Sequence, residues 1–504
     1  MKEFRPYLVV FSAIISFLSF PPFPFGPLIF LSPAILLYAI EEISPRRAFK
    51  FGYLWGLIFH LGLLYYIAWV TVPGMIATVM ILALIPAVAS WIFTRLLDRY
   101  RGLAIISFPS FILMWNWLLT KSDLNYPWTD LGYALSYYQT LIQAADLAGV
   151  YLISLFTIVI NLLIYGSISN VFALEKQKRS NLIYTSIIII SVFYFYGAIR
   201  LSQLHDNPEE SLTVGLVQGN VTKDIKWSPA SLQYSFDTYN QLSKEAVEDG
   251  AQFVIWPETA IPTYVVQETA SMDQMKKIAS GLNVPILTGT VFYETVGPRE
   301  YIYFNSAILI EPNKDDYQLY SKIHLVPVSE KIPFSERYKI LRDIHLGQAD
   351  FSSGREQTVL KLNGDTFGTL ICFESVFPGY ANDYIAKGAK FLVVITNDMW
   401  FGRTSLFEQH AMMAVFRAIE NRVPVVRAAN TGISMAVDKR GKILVKSDVF
   451  KKEYLVAKIH PELSTSAYNK IGDIIPQSAT VIALICLAIA FWKRNGYIER
   501  QYDE

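Results

Sequence analysis

The chain has 504 residues, long enough for more than one domain, and 52% of them are hydrophobic against 17% charged, where a soluble domain carries about a quarter charged. The formal net charge of +1 offers no bulk attraction to nucleic acid or to an acidic partner. Cys372 falls in a globular-looking stretch and Cys486 in an apolar run, so no disulfide is expected between them and the redox compartment is not readable from cysteine count.

The averages conceal a sharp division. Residues 1–204 are nearly all apolar, 205–470 have an ordinary globular composition, and 471–504 open with a further apolar run. A helix needs about 20 apolar residues to cross ~30 Å of hydrocarbon. Spans are predicted near 6–21, 25–41, 51–72, 74–94, 103–120, 146–166, 181–199 and 473–492, about eight in all. The first has no small-residue cleavage site after it and is read as a retained helix. The stretch 121–145, with Asp123, Trp128 and Asp130, is less apolar and is read as interfacial or re-entrant.

Basic residues test this count. They gather at Lys2 and Arg5, at Arg46, Arg47 and Lys50, at Arg95, Arg99 and Arg101, at Lys176, Lys178 and Arg179, and at Lys493 and Arg494. With eight spans all five clusters fall on one side, which the positive-inside rule makes cytoplasmic. The globular region, between the seventh and eighth spans, is then expected on the outer face. A bundle this large exceeds what an anchor needs and points to binding within the membrane. A transport path is disfavoured, because His60 and Asp146 are the visible intramembrane ionisable residues and such paths usually carry more paired charges.

From Leu212 the pattern turns to short β-rich runs alternating with amphipathic helices. Strands are predicted at 212–220, 253–258, 284–292, 303–310, 366–374, 391–398, 424–430, 433–438 and 454–459, and helices at 229–249, 269–282, 376–388 and 405–421. This is the signature of a layered α/β domain with buried strands. Several strands end in polar residues: Glu258 after FVIWP, Cys372 and Glu374 in ICFE, Asn397 and Asp398 after VVIT. Ligands in open α/β sheets bind beyond strand ends.

A buried strand cysteine is ordinarily inert packing, but Cys372 stands at a strand end with Glu374 two positions on. Glu258, directly after Val-Ile-Trp-Pro, is not placed as a solvated charge; it is either structurally paired or a general base with a raised pKa. Lys322, in YSKIHLVP, reads alone as a surface lysine, yet a fixed ammonium beside a developing oxyanion is worth about 3–4 kcal/mol. Glu330 and His324 lie nearby, and His324 raises the possibility of a Cys–His pair. The six histidines are scattered, and HExxH, CxxC, GxGxxG, Walker and GxSxG patterns are absent, so no metal and no cofactor are expected.

Together WPET (256–259), YSKIHLVP (320–327) and ICFES (371–375) resemble the Glu–Lys–Cys sites of the nitrilase superfamily. With the apolar region, the full length resembles the bacterial apolipoprotein N-acyltransferase family: PPFPFGPL (21–28), YPWTDLGY (126–133), LVQGN (216–220), Lys226–Trp227, HLVP (324–327), TNDMWFG (396–402), Gln409–His410 and RAANTGIS (427–434) carry the likeness. The resemblance implies a membrane α-helical bundle plus an αββα nitrilase-like sandwich, set in the inner membrane with the sandwich in the periplasm. It implies transfer of an acyl chain from a phospholipid donor to the free α-amine of a diacylated apolipoprotein. It makes Cys372 the nucleophile, Glu258 the general base and Lys322 the oxyanion cation, with Glu330, Glu374 and Trp227 supporting. Phe373 stands where tyrosine is common, Val328–Ser329 where Phe-Gly is usual, and Lys331 where an aromatic is common; these put fine substrate selection in doubt, not the reaction. The competing enzyme reading is a membrane-tethered carbon-nitrogen hydrolase in which water resolves the thioester. A lid is expected over 331–356, which is long and polar.

Overall fold

A computed structural model describes residues 2–208, 210–222, 231–335, 337–338, 340 and 350–492. It divides into two compact units, one from residues 1–203 with 471–504, the other from 204–470.

The first unit is a bundle of apolar helices: α1 (Arg5–Leu18), α2 (Ser32–Ile40), α3 (Pro45–Leu64), α4 (Val72–Leu97), α5 (Arg101–Leu119), α6 (Ala145–Ile168), α7 (Lys176–Gln203) and a closing helix, Ile474–Trp492. Among the described residues six helices are long and apolar enough to cross a membrane. The first two of the eight expected spans are shorter. In the second, a 3-10 turn (Gly26–Phe30) precedes α2, because Pro27 and Pro33 interrupt the backbone bonding. α6 breaks at Ala148 and Gly149, the latter at φ +72°, a conformation glycine adopts without a Cβ clash. The less apolar stretch forms no long helix. Its Asp130 is buried and accepts hydrogen bonds from Asn116 (3.0 Å) and Ser154 (3.1 Å). Asp146 pairs with Arg200 (2.9 Å) and accepts from Tyr196 (2.7 Å), tying α6 to α7. His60 bonds the Gly56 carbonyl one turn back on α3 (2.7 Å).

The second unit holds two six-stranded mixed sheets. The first contains β1 (Leu212–Gln218), β2 (Phe253–Ile255), β3 (Ile286–Gly297), β4 (Glu300–Ile310), β5 (Tyr317–Ser321) and β12 (Glu453–Ile459), in the order β12-β1-β2-β3-β4-β5. The second contains β6 (Val359–Leu362), β7 (Asp365–Ile371), β8 (Phe391–Thr396), β9 (Val425–Ala429), β10 (Met435–Val437) and β11 (Ile443–Lys446), in the order β11-β10-β9-β8-β7-β6. Each sheet has a parallel core, β1–β2–β3 or β7–β8–β9, flanked by antiparallel partners. Crossover helices α8 (Ser231–Glu248) and α9 (Thr269–Leu282) serve the first, and α10 (Pro378–Ala386) and α11 (Leu406–Asn421) the second. Parallel strands covered on both faces read as continuous apolar runs, which is why all of FLVVIT in β8 is buried. The sheets meet through ring contacts such as Phe253–Phe367 (5.5 Å), giving an αββα sandwich.

On α8 the apolar positions Phe236, Tyr239, Leu242 and Ala246 recur at helical spacing and pack on Val254, Trp256 and Ile286. Trp256 is fully buried, stacks on Tyr239 (5.2 Å) and donates its indole N–H to Ser243 (2.8 Å), satisfying its one polar atom. Burial of a side chain this size contributes about 3 kcal/mol. Two expected strands fall furthest short of their expected ends. β2 stops at Ile255, since Pro257 has no N–H to continue the ladder, and β7 stops at Ile371, so Cys372 and Glu374 lie in a 3-10 turn (Cys372–Val376) and not in a strand.

Candidate active site

Four chain segments leave neighbouring strand ends and converge. Glu258 lies just past β2, Lys322 directly follows β5, Cys372 directly follows β7, and Asn397 directly follows β8. Cys372 has φ +53°, a left-handed conformation that costs an L-residue roughly 1–2 kcal/mol and here turns the chain abruptly out of the sheet. Its side chain stays partly accessible. Strain of this kind concentrates where a side chain must be presented in one direction.

Lys322 has no exposed surface. Its Nζ donates to both oxygens of Glu330, at 2.9 and 2.7 Å, and stands 3.9 Å from Glu258 Oε1. Burial alone would pull its pKa down, but the carboxylates of Glu330 and Glu258 outweigh that and hold it above the ordinary lysine range. The cation is therefore permanent at neutral pH. Glu258 is 7% exposed. Its Oε1 accepts from Asn305 Nδ2 (2.6 Å) and its Oε2 from the backbone N–H of Asn397 (2.8 Å). Asn305 also donates to Glu330 Oε1 (3.1 Å), so one amide bridges both carboxylates. Burial pushes the Cys372 thiol well above its ordinary range, and Glu258 pushes the same way against the opposing pull of Lys322. A thiol held in this way needs a base to take its proton before it can act as a nucleophile.

Glu374 is fully buried and holds the frame together. Its Oε1 accepts from Tyr320 (2.6 Å) and from the backbone N–H of Ile323 (2.8 Å) and His324 (3.2 Å); its Oε2 accepts from Ile371 N–H (2.8 Å). It thus ties the residue after Lys322 to the residue before Cys372. Burial raises its pKa to about 7 against these hydrogen bonds. Glu330 is kept in place by a turn in which Val326 N–H donates to its Oε2 (2.8 Å) and Val328 adopts φ +67°.

The sequence marks Asp398, His410 and Arg427 as parts of motifs without assigning them a role. Beneath Cys372, His410 approaches its carbonyl (3.2 Å) and Ser375 Oγ (3.0 Å) through Nε2, and Asp398 (3.1 Å) through Nδ1. Asp398 also accepts from Arg427 (2.7 Å). Burial opposes charge on Asp398, but Arg427 and His410 outweigh it and set its pKa at about 2. Burial, reinforced by Arg427, lowers His410. Two glycines clear the ground: a Cβ on Gly289 would lie 2.6 Å from the Glu258 Cα, and one on Gly354 would lie 2.1 Å from the Ser321 carbonyl. Asn305 stands in the middle of an apolar strand pattern, and that placement is its legible signal. His324 packs its ring on Phe377 (4.4 Å) and Tyr380 (4.5 Å); the histidine beside Cys372 is His410. Trp227 lies outside the described residues, as does much of the expected lid. The end of that stretch is stitched to the site through Phe351 N–H to Glu330 O (3.0 Å) and Gly354 N–H to Lys322 O (2.7 Å).

The arrangement offers a thiol, a carboxylate base and a buried cation, the set needed for acyl transfer through a covalent intermediate. The carbon-nitrogen hydrolase family model matches residues 213–469, and the model described as apolipoprotein N-acyltransferase N-terminal domain matches 12–163. An apolipoprotein N-acyltransferase of Geobacter metallireducens is 34% identical, over 97% of this chain and 96% of its own. That of Vibrio cholerae is 29% identical, over 97% of each. Among solved structures, an amidase from Nesterenkonia sp. aligns with 54% of this chain and 98% of its own, at 19% identity and a TM-score of 0.40.

Proposed function

The chain belongs to the apolipoprotein N-acyltransferase family, and within that family we propose that it moves an acyl chain from a phospholipid to the free α-amine of a diacylglyceryl-cysteine lipoprotein through a thioester on Cys372. It is a multi-pass membrane enzyme. The orientation proposed for it puts residues 205–470 in the periplasm and Arg99, Lys176 and Lys493 in the cytoplasm, on the strength of the five basic clusters. A thiol probe that labels a cysteine placed at position 178 from the periplasm would overturn that orientation.

The observation that carries the proposal is the convergence of Glu258, Lys322 and Cys372 from three strand ends, with Lys322 locked between two carboxylates. Glu258 takes the proton from Cys372 Sγ, and the sulfur attacks the ester carbonyl carbon of the phospholipid. Lys322 Nζ stabilises the oxyanion that forms. Collapse breaks the C–O bond, Glu258 returns the proton to the leaving oxygen, and a lysophospholipid departs. The acceptor amine, with an ordinary pKa of about 7.7–8.0, is partly neutral at pH 7. It attacks the thioester while Glu258 takes its proton, and the C–S bond breaks to leave an amide and the Cys372 thiol.

Kinetics should be ping-pong. Phospholipid alone should load one acyl chain on Cys372 and release one lysophospholipid, as read by intact-mass spectrometry. A diacylated lipopeptide with a free amine should discharge the adduct, and the same peptide with a blocked amine should not. Absence of an adduct without acceptor would refute the covalent route. Rapid release of free fatty acid would favour the hydrolase reading.

A further inference from the structure

The helical unit contains an apolar slot of about 670 Å³ that none of this chemistry uses. Its walls come from α5, α6, the segment joining α6 to α7, the start of α7 and the closing helix, and among the described residues that line it Ser110 and Ser478 carry the polar side chains. Its lining is apolar and it is open to the surface of the helical unit, so hydrocarbon is the fitting occupant. The slot is also elongated. From Leu155 to Gly166 on α6 it follows eleven residues, about 16 Å at the helical rise. On the closing helix it begins at the first turn, at Ile474 and Ile475, so it runs toward the end of the bundle opposite Arg101.

One end of the slot is cationic. Arg179 sits half-buried there, donating to the Leu174 carbonyl (3.1 Å), the Ser167 carbonyl (3.4 Å) and Asn170 Oδ1 (3.0 Å). Leu174 and Gly166 line the slot beside it. On α5, exposed Arg101 lies one turn before the lining residue Ile105 and on the same face. On α7, exposed Lys178 lies one turn before Leu182 in the same relation. Arg99 and Lys176 add to the cluster, against Asp98 and Glu175. Basic residues at the mouth of a cleft between membrane helices select anionic head groups.

We propose that this slot is a binding site for an anionic phospholipid, with one acyl chain between α5, α6, α7 and the closing helix and the phosphate against Arg101, Lys178 and Arg179. On the orientation argued above its head group lies at the cytoplasmic side; that placement rests on the proposed topology, and the site does not.

The test is native mass spectrometry of the full-length chain, carrying Cys372→Ala so that no lipid turns over, titrated with dioleoyl phosphatidylglycerol and with dioleoyl phosphatidylethanolamine. One phosphatidylglycerol should bind in preference to phosphatidylethanolamine. Ala479→Trp, which fills the slot, should remove that one lipid. Arg101→Gln with Lys178→Gln, both exposed and outside the packing, should weaken phosphatidylglycerol about twenty- to thirtyfold, at roughly fivefold per charge, and leave phosphatidylethanolamine unchanged. Equal binding of the two lipids, or the same phosphatidylglycerol count and affinity in the charge variant, would overturn the proposal. Because the charge variant leaves the core intact, this holds even if Ala479→Trp fails to fold.

Discussion

Replacing Lys322 with arginine keeps the charge and should still disable the enzyme. The ammonium has no exposed surface and already donates to both Glu330 oxygens at 2.7–2.9 Å, with Glu258 3.9 Å away. A guanidinium is bulkier and planar, and presents its donors in a fixed fork. Forcing it into this space costs about 1–3 kcal/mol in packing. The compact donor proposed for the oxyanion is lost, worth about 3–4 kcal/mol, a fall of about 10²–10³ in kcat. Lys322→Ala should lose as much activity and more stability, because it leaves Glu330 and Glu258 buried without a counter-charge, a penalty of about 3–5 kcal/mol. The assay is acyl transfer from phospholipid to a diacylated lipopeptide, with thermal unfolding in detergent measured on the same preparations. If Lys322→Arg kept more than about a tenth of the wild-type kcat, the lysine would be acting as a diffuse positive charge and the geometric argument would fail.

Glu374 carries a pH signature. Its folded pKa of about 7 lies above the ordinary 4.5, so the folded protein keeps a proton the unfolded chain has lost, and the stability this contributes is complete below pH 4.5 and lost as pH rises to 7. Glu374→Gln should flatten the thermal-stability profile across that window; an unchanged slope would assign it to another group. Val328 holds φ +67° in the turn that orients Glu330, and Val328→Gly should remove roughly 1–2 kcal/mol of strain at an entropic cost of about 0.5–1 kcal/mol, raising Tm by about 2 °C. A lower Tm would show that the valine side chain contributes more by packing than its backbone costs. His410→Ala should lower kcat at least about tenfold through loss of a buried hydrogen bond near the Cys372 carbonyl, and slow iodoacetamide alkylation of Cys372 in parallel; normal alkylation would place His410 outside the control of that thiol.

The two-unit composition, the parallel cores and the strand-end positions of the three central candidate residues were legible because each leaves a local pattern: apolar runs of spanning length, buried β-branched strands, polar residues at strand ends. The three strands not anticipated, β5, β6 and β11, are all sheet edges of four or five residues. Edges are kept short and mixed in character, so they carry little periodicity. The ends of β2 and β7 were read too long because Trp256 and Phe373 continue an apolar run past the point where Pro257 and the left-handed Cys372 break the ladder. The contacts of His410 with Asp398, Arg427 and Cys372 depend on β7, β8 and β9 lying side by side, and strand adjacency is not written in any one segment. The kink at Gly149 gave no signal beyond one glycine among many apolar residues.

The placement of β12 beside β1 sets a timetable for synthesis. β1 is an interior strand of the finished sheet, yet the partner that covers its outer side is the last strand of the domain, about 235 residues further along the chain. At roughly 5–20 residues per second, β1 emerges some ten to fifty seconds before β12 exists. Through that interval LTVGLVQ is a bare, uncharged edge, the kind of segment that pairs with whatever strand it meets. The nascent domain therefore has to be shielded on that side until β12 has paired with β1, and truncation anywhere before β12 should yield aggregates instead of a smaller folded enzyme.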